Sequence, residues 1–263
     1  MRAFHFLLVA ISLFASSFIY AKGCNDNTAV ISAGSTYPPL SWYRDGKLTG
    51  ASIELIKNIF AELGIDAIPD AGGPWKRVVL RAKKGQLDML VGVRRNEYRE
   101  KFLSFIDPPI SPAAQSIFIR KTDMDEYDDW SKLKNKVGST TLGVSFGPEF
   151  DKFSKEYLYI EQVRSVNQNF KKLLKNRVDY ILGPLLPTLL YIEKDGYRYK
   201  IKPVRKPLLI IDEFVAFSNN SDCKQHIEYF KKRIKEKIHN GDMDALMEKY
   251  YLQWQDDTAN KLY

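Results

Sequence analysis

Three arginines, Arg94, Arg95 and Arg99, stand in the single stretch "GVRRNEYREKFLSF" (92–105). A guanidinium is a planar, permanently charged donor that can grip a carboxylate with two parallel hydrogen bonds. Asn96 reads as the N-cap of a short helix with Glu97 in its first turn, which puts Arg99 at the third helical position. A cation there opposes the helix dipole, so an anion is expected to face Arg99. A neighbouring glutamate in a surface ion pair and a bound carboxylate both satisfy that expectation.

The other stretches with chemical potential say less. "GVSFG" (143–147) matches the G-x-S-x-G nucleophile pattern and offers Ser145. A hydrolase also needs a histidine base, and the chain has three histidines. His5 belongs to an apolar leader, His226 to a basic amphipathic helix and His239 to the "HNG" end of that helix, so a Gly-rich turn able to hold an anion is the better reading. The sequence has no CxxC, HExxH, GxGxxG or P-loop pattern, so no metal and no cofactor is expected.

These residues sit among alternating elements. "TAVISAG", "IDAIPDA" and "LDMLVGV" read as strands. "SIELIKNIFAELG" and "PWKRVVLRAKKG" read as helices between them, a β-α-β-α-β order that implies a parallel sheet. "TYPPLSWYRDGKLTG" is expected to be a loop. After "DPPISPAAQSIFIRK" a second block follows: "VGSTTLGVSFG" as strand and turn, "VNQNFKKLLKNR" as helix, "VDYILG" as strand and "PTLLYIEKDG" as helix. "YKIKPV" and "EFVAFS" are further strands, and two helices close the chain, from Ser221 to about His239 and from Met243 to about Tyr251. Two α/β blocks suggest two lobes with a cleft between them.

Composition sets the compartment. The 263 residues are 44% hydrophobic, with no second segment apolar enough to span a bilayer. Residues 1–21 read as a secretory signal cleaved after Ala21, and a soluble periplasmic protein is expected. Arg2 is the one charged residue in that segment, so its removal takes the net charge from +8 to +7. The densest basic run, "KKRIKEK", is the wet face of an amphipathic helix without interleaved stacking aromatics, which argues against nucleic-acid binding. Cys24 and Cys223 are the two cysteines. A disulfide and two buried thiols both suit an exported chain.

Taken in order, several pieces resemble the polar amino-acid-type periplasmic binding proteins, extracellular solute-binding protein family 3. They are "YPPLSWYRDGKLTGASIELIKNIFAELG", "PWKRVVLRAKKGQLDMLVGVRRNEYREKFLSFIDPPI", "LKNKVGSTTLGVSFGPEFD", "NRVDYILGPL" and "IHNGDMDALMEKYY". The resemblance implies an α/β fold: a type II two-lobe clamp, each lobe a mostly parallel sheet flanked by helices, joined by two crossing hinge strands. It implies lobe one at 22–112 and 216–263 and lobe two at 113–215. It places Cys24 and Cys223 on one lobe, and so implies that they pair.

The resemblance also assigns a site. Arg99 would grip the carboxylate of a ligand. Arg94 stands where the family carries a small hydroxyl residue, and would either favour a more acidic ligand or need an internal acidic partner. Arg95 would point away and be solvated. Tyr37, Trp75 and Trp42 would wall the ligand, Gly92 would lie at the strand end beside it, and Gly143 and Ser145 would donate from lobe two. Pro184 stands where many amino-acid binders place an aspartate for the ligand ammonium; Glu149 or Asp151 are possible substitutes. The function implied is capture of a small anionic or zwitterionic solute by a monomer that delivers it to an inner-membrane ABC permease, without catalysis. A dehydratase-like enzyme on the same fold and a ligand-binding input to a membrane sensor are the alternatives.

Overall fold

A computed structural model describes residues 24, 27–124, 127 and 129–259; the expected signal segment lies outside these residues. The first block builds β1 (Thr28–Ala33), β2 (Thr36–Tyr37), β3 (Ser41–Arg44), β4 (Lys47–Thr49), α1 (Ala51–Ala61), β5 (Asp66–Pro69), α2 (Trp75–Lys83), β6 (Met89–Arg94) and the single turn α3 (Glu97–Glu100). β7 (Leu103–Arg120) then leads to β8 (Val137–Thr141), α4 (Pro148–Tyr157), β9 (Tyr159–Val163), α5 (Val166–Leu174), β10 (Tyr180–Pro184), α6 (Leu185–Lys194) and β11 (Ile201–Pro203). β12 (Leu209–Ser218), α7 (Ile227–His239) and α8 (Asp242–Ala259) complete the chain.

The sheet order is β5-β1-β6-β12-β7-β10-β8-β9, with β11 also on β7. β5, β1 and β6 are parallel, and so are β9, β8 and β10. Between these triplets run two antiparallel strands, β7 and β12. The 18-residue β7 leaves the first triplet and reaches the second, and β12 returns. The result is a two-lobe clamp joined by two crossing strands.

Period-2 alternation fills both lobes. On β7, Ile117 and Ile119 enter the core under α4, while Phe118 enters the one under α5 and α6. In lobe one, Ile53, Ile56, Ile59 and Phe60 of α1 meet Phe230 and Ile234 of α7. The Phe60 ring lies edge-on to Phe217 and Phe230, a geometry that adds to simple area burial. Cys24 and Cys223 form a disulfide in this core, with Cα atoms 4.9 Å apart.

Three segments depart from the sequence reading. The expected loop after β1 contains a three-stranded antiparallel sheet, β2-β3-β4. Its β3–β4 turn is Asp45-Gly46, both at positive φ (46° and 80°), the two-residue hairpin geometry for which Asp-Gly is suited. α4 and β9 form an additional helix and edge strand in lobe two. α8 runs on to Ala259, well past Tyr251, because Trp254 continues its buried face.

Candidate functional site

A cavity of about 100 Å³ lies between the lobes. Lobe one lines it with Tyr37, Trp75, Gly92, Arg94 and Arg99, and lobe two with Thr141, Val144, Ser145, Val166 and Pro184. Glu213, on the returning strand β12, completes it.

Gly92 explains how Arg94 comes to face the cavity. Met89 and Val91 of β6 enter the core under α1, and Leu90 enters the core under α2. Strict alternation would return Val93 to the α1 side. Instead Val93 lies under α2, because Gly92 is an extra residue between the pairs Val91–Val215 and Val93–Phe214. Gly92 has φ +67°, the left-handed geometry that a bulge glycine supplies. The bulge inverts the alternation and turns Arg94 toward Tyr37 and Glu213.

Arg94 is 6% exposed and fully partnered. Its Nε donates to Glu213 Oε1 (2.9 Å), its Nη2 to Gln115 Oε1 (3.0 Å) and its Nη1 to the Ser145 carbonyl of lobe two. Burial works against the charged guanidinium, but the adjacent Glu213 carboxylate more than offsets this and raises its pKa. Glu213, 2% exposed, also accepts from the Tyr37 hydroxyl (3.1 Å). Burial pushes its carboxyl above the ordinary range, against the pull of Arg94. Burial and the Glu213 charge likewise push the Tyr37 phenol up, so it stays a donor. Of the two alternatives open for Arg94, the structure shows the internal acidic partner, and that partner is Glu213. Asp151 accepts from Ser145 Oγ and from the Phe146 N–H at the start of α4, and neither it nor Glu149 lines the cavity.

Arg99 is different. Asn96 caps α3, its Oδ1 accepting from the Arg99 N–H at 2.9 Å, as its sequence position implied. The guanidinium is 4% exposed and packs 5.7 Å from the Trp75 ring centre. It donates to two carbonyls, Arg94 O at 2.7 Å and, across the lobes, Gly143 O at a long 3.4 Å. It has no carboxylate in ion-pair range among the described residues. Burial, then the Arg94 charge, lower its pKa to about 10. One turn of helix carries little dipole, so these two costs, rather than the helix start, define the position. The charged residues lining the cavity are Arg94, Arg99 and Glu213, a net +1. A surface ion pair with a neighbouring glutamate does not occur at Arg99.

The remaining expected residues divide. Tyr37 and Trp75 line the cavity. Trp42 does not: it is 2% exposed and lies edge-on to Tyr250 and Trp254 of α8, in the core behind β3. Gly143 lies beside the cavity rather than on it. Its φ is +84°, and a Cβ there would come within 3.2 Å of Lys76, so glycine lets the lobes approach. Ser145 lines the cavity, but its hydroxyl is spent on Asp151, and its carbonyl is spent on Arg94. His226 and His239 sit at the two ends of α7, and neither lines the cavity with Ser145. Arg95 is half-buried rather than solvated, paired with Asp107 (3.1 Å) and stacked on Phe214 (4.5 Å). Among the described residues no cluster of His, Cys, Asp and Glu could hold a metal ion.

Two lobes, two crossing strands and a cationic cavity between them define a type II periplasmic binding protein. The profile of the bacterial extracellular solute-binding proteins, family 3, matches residues 30–253, and the chain belongs to that family. It is 23% identical over 191 residues to the L-cystine-binding protein TcyJ of Escherichia coli (strain K12), covering 71% of this chain and 70% of that protein. Among solved structures, a mutant of ArgBP from T. maritima superposes with a TM-score of 0.73 at 17% identity, over 86% of this chain and 96% of that one. The amino acid ABC transporter substrate-binding protein AbpA from Streptococcus pneumoniae, bound to L-arginine, gives 0.73 at 19% identity, over 88% and 97%. No helix among the described residues is long and apolar enough to cross a membrane.

Proposed function

We propose that this protein is an exported, monomeric receptor that captures a small amino-acid-like solute by its carboxylate and hands it to an ABC permease. The observation that carries the reading is Arg99: a buried guanidinium in the interlobe cavity whose partners are two carbonyls and no carboxylate. A solute carboxylate would supply the missing countercharge in a desolvated site, where a bidentate contact is strongest. Trp75 would hold the guanidinium in plane. Glu213 stands in for the aspartate absent at Pro184. Both bonds it receives end on Oε1, which leaves Oε2 for a solute ammonium. The relatives named above bind cystine and arginine, which supports an amino-acid scaffold.

Closure would couple binding to delivery. In this structure the lobes already touch through Arg94–Ser145, Arg99–Gly143 and the edge-on pair Tyr191–Trp254. A solute that bridges Arg99 and lobe two selects this closed arrangement, which a permease then reads. No chemistry is done on the solute. Glu213 is the one carboxyl lining the cavity among the described residues, and it is engaged by Arg94 and Tyr37.

A thermal-shift panel of amino acids, dicarboxylates, polyamines and cyclic acids tests the proposal. A bound solute at about 100 times its Kd adds about 2.7 kcal/mol of stability, or roughly 5–10 °C for a chain of this size. The expected hits all carry a carboxylate. A panel without hits, or hits confined to polyamines, would overturn the reading.

A further inference from the structure

A second compartment of about 30 Å³ adjoins the cavity, walled mostly by lobe two. The two share Thr36, Thr141, Val144, Val166 and Pro184 as common walls. Beyond those shared walls its polar lining is Thr140, Asn169, Thr188 and Tyr191, and no acidic or basic side chain lines it. Asn169 stands out. It lies on α5, which Ser165 caps, and it is 2% exposed. Its amide nitrogen donates to Thr141 Oγ1 at 3.5 Å, and its Oδ1 has no partner among the described residues. Buried amide oxygens are nearly always paired, because leaving one dry is costly.

We propose that this compartment is the side-chain subsite of the solute, and that Asn169 Oδ1 selects an uncharged side chain ending in a hydrogen-bond donor. The inference rests on reading the interlobe cavity as the solute site. With Arg99 holding the carboxylate at one end, a solute reaching past Thr141 and Val166 presents its far end to Asn169. A cationic or anionic terminus there would be desolvated with no countercharge. An apolar terminus of equal size would leave Oδ1 unpaired. A neutral amide or hydroxyl meets the requirement. A site built to bond a polar group discriminates strongly against the analogue that lacks it.

Titration calorimetry on the mature protein, with probes that share one amino-acid head, decides the matter. The probes are L-asparagine and L-glutamine, the apolar isosteres L-leucine and L-methionine, and L-aspartate, L-glutamate and L-lysine. Wild type is expected to bind the best amide about tenfold or more tighter than its apolar isostere, and tighter than any charged probe. Asn169→Leu should erase the amide advantage, and Asn169→Asp should move the preference toward lysine. Thr188→Val, on a different helix, gives a second variant should Asn169→Leu fold poorly, and it should also narrow the gap. If wild type prefers a charged or apolar side chain, or if the amide advantage survives Asn169→Leu, the subsite is refuted while solute capture stands. An Oδ1 occupied by water only, seen as binding indifferent to side chain, refutes it as well. If no probe binds at all, the subsite is refuted, and capture falls too only if the wider thermal-shift panel also gives no carboxylate hit.

Discussion

Replacing Arg99 with methionine should make the empty protein more stable while weakening its affinity for solute at least about 100-fold. Burial and the Arg94 charge lower Arg99 from the ordinary guanidinium range to about 10. At about 1.36 kcal/mol per unit, holding it charged costs roughly 3 kcal/mol at neutral pH. Methionine keeps a long flexible side chain against Trp75 and removes that cost. It also forfeits the 2.7 Å bond to the Arg94 carbonyl, a charge-assisted bond worth about 1.5–2 kcal/mol. The 3.4 Å contact to Gly143 adds little. The net is a gain of about 1–2 kcal/mol, or roughly 2–8 °C. The sign of the pH dependence follows from the same shift. A folded pKa below the unfolded one means that the unfolded chain binds more protons from about pH 10 up to the ordinary guanidinium range. Wild-type stability from this group therefore rises with pH in that window, and the variant lacks the rise. Calorimetric melts of both proteins, empty and with saturating solute, provide the assay. A variant that melts several degrees lower than wild type when empty would show that Arg99 is a structural residue, and the reasoning would be refuted.

Four further outcomes are expected. The disulfide closes a loop of sequence separation 199, so reduction, or Cys24→Ser with Cys223→Ser, should cost about 5 kcal/mol on the chain-entropy account; a melting point insensitive to reductant would contradict it. Glu62 is held at about 2, first by the hydrogen bonds of Arg233. Its contribution is present above its unfolded value of 4.5 and is lost as pH falls toward 2. Glu62→Gln should flatten the acid limb of the melting curve by up to about 1 kcal/mol, since the pair is near the surface. Trp42→Ala should destabilise by about 3–5 kcal/mol and leave the affinity of the folded fraction within about twofold. Trp75→Ala should do the reverse, losing affinity with little change in melting temperature.

The order of elements was legible because apolar spacing repeats on each helix and strand, and because the match in order to one family runs across the chain. Arg99 and its Asn96 cap were legible as well, since cap, first turn and cation lie within four consecutive residues. The β3–β4 hairpin was legible in principle from Asp45-Gly46, but the prolines beside it drew the reading toward a loop. Other features depend on contacts that local sequence does not encode. Glu213 meets Arg94 only because β12 pairs with β6 from more than a hundred residues away. The inverted alternation at Gly92 is a property of the strand pair, not of "LVGVRR" alone. Trp42 reads equally as wall or core until α8 is seen to cover it with Tyr250 and Trp254. Asn169 looked like any polar residue on an amphipathic helix, and only its unpaired oxygen beside a cavity marks it.

The central claim is that Arg99 binds a solute through its carboxylate. Calorimetric titration of the wild-type protein with its best amino acid and with the corresponding C-terminal carboxamide tests it most directly. The pair has nearly the same size and differs in the charge presented to the guanidinium. The account predicts that the carboxamide binds at least about 100-fold more weakly, the loss of one charge-assisted bidentate contact of about 3 kcal/mol, and that Arg99→Met reduces that ratio to near one. A carboxamide that binds wild type within about threefold of the acid would contradict it.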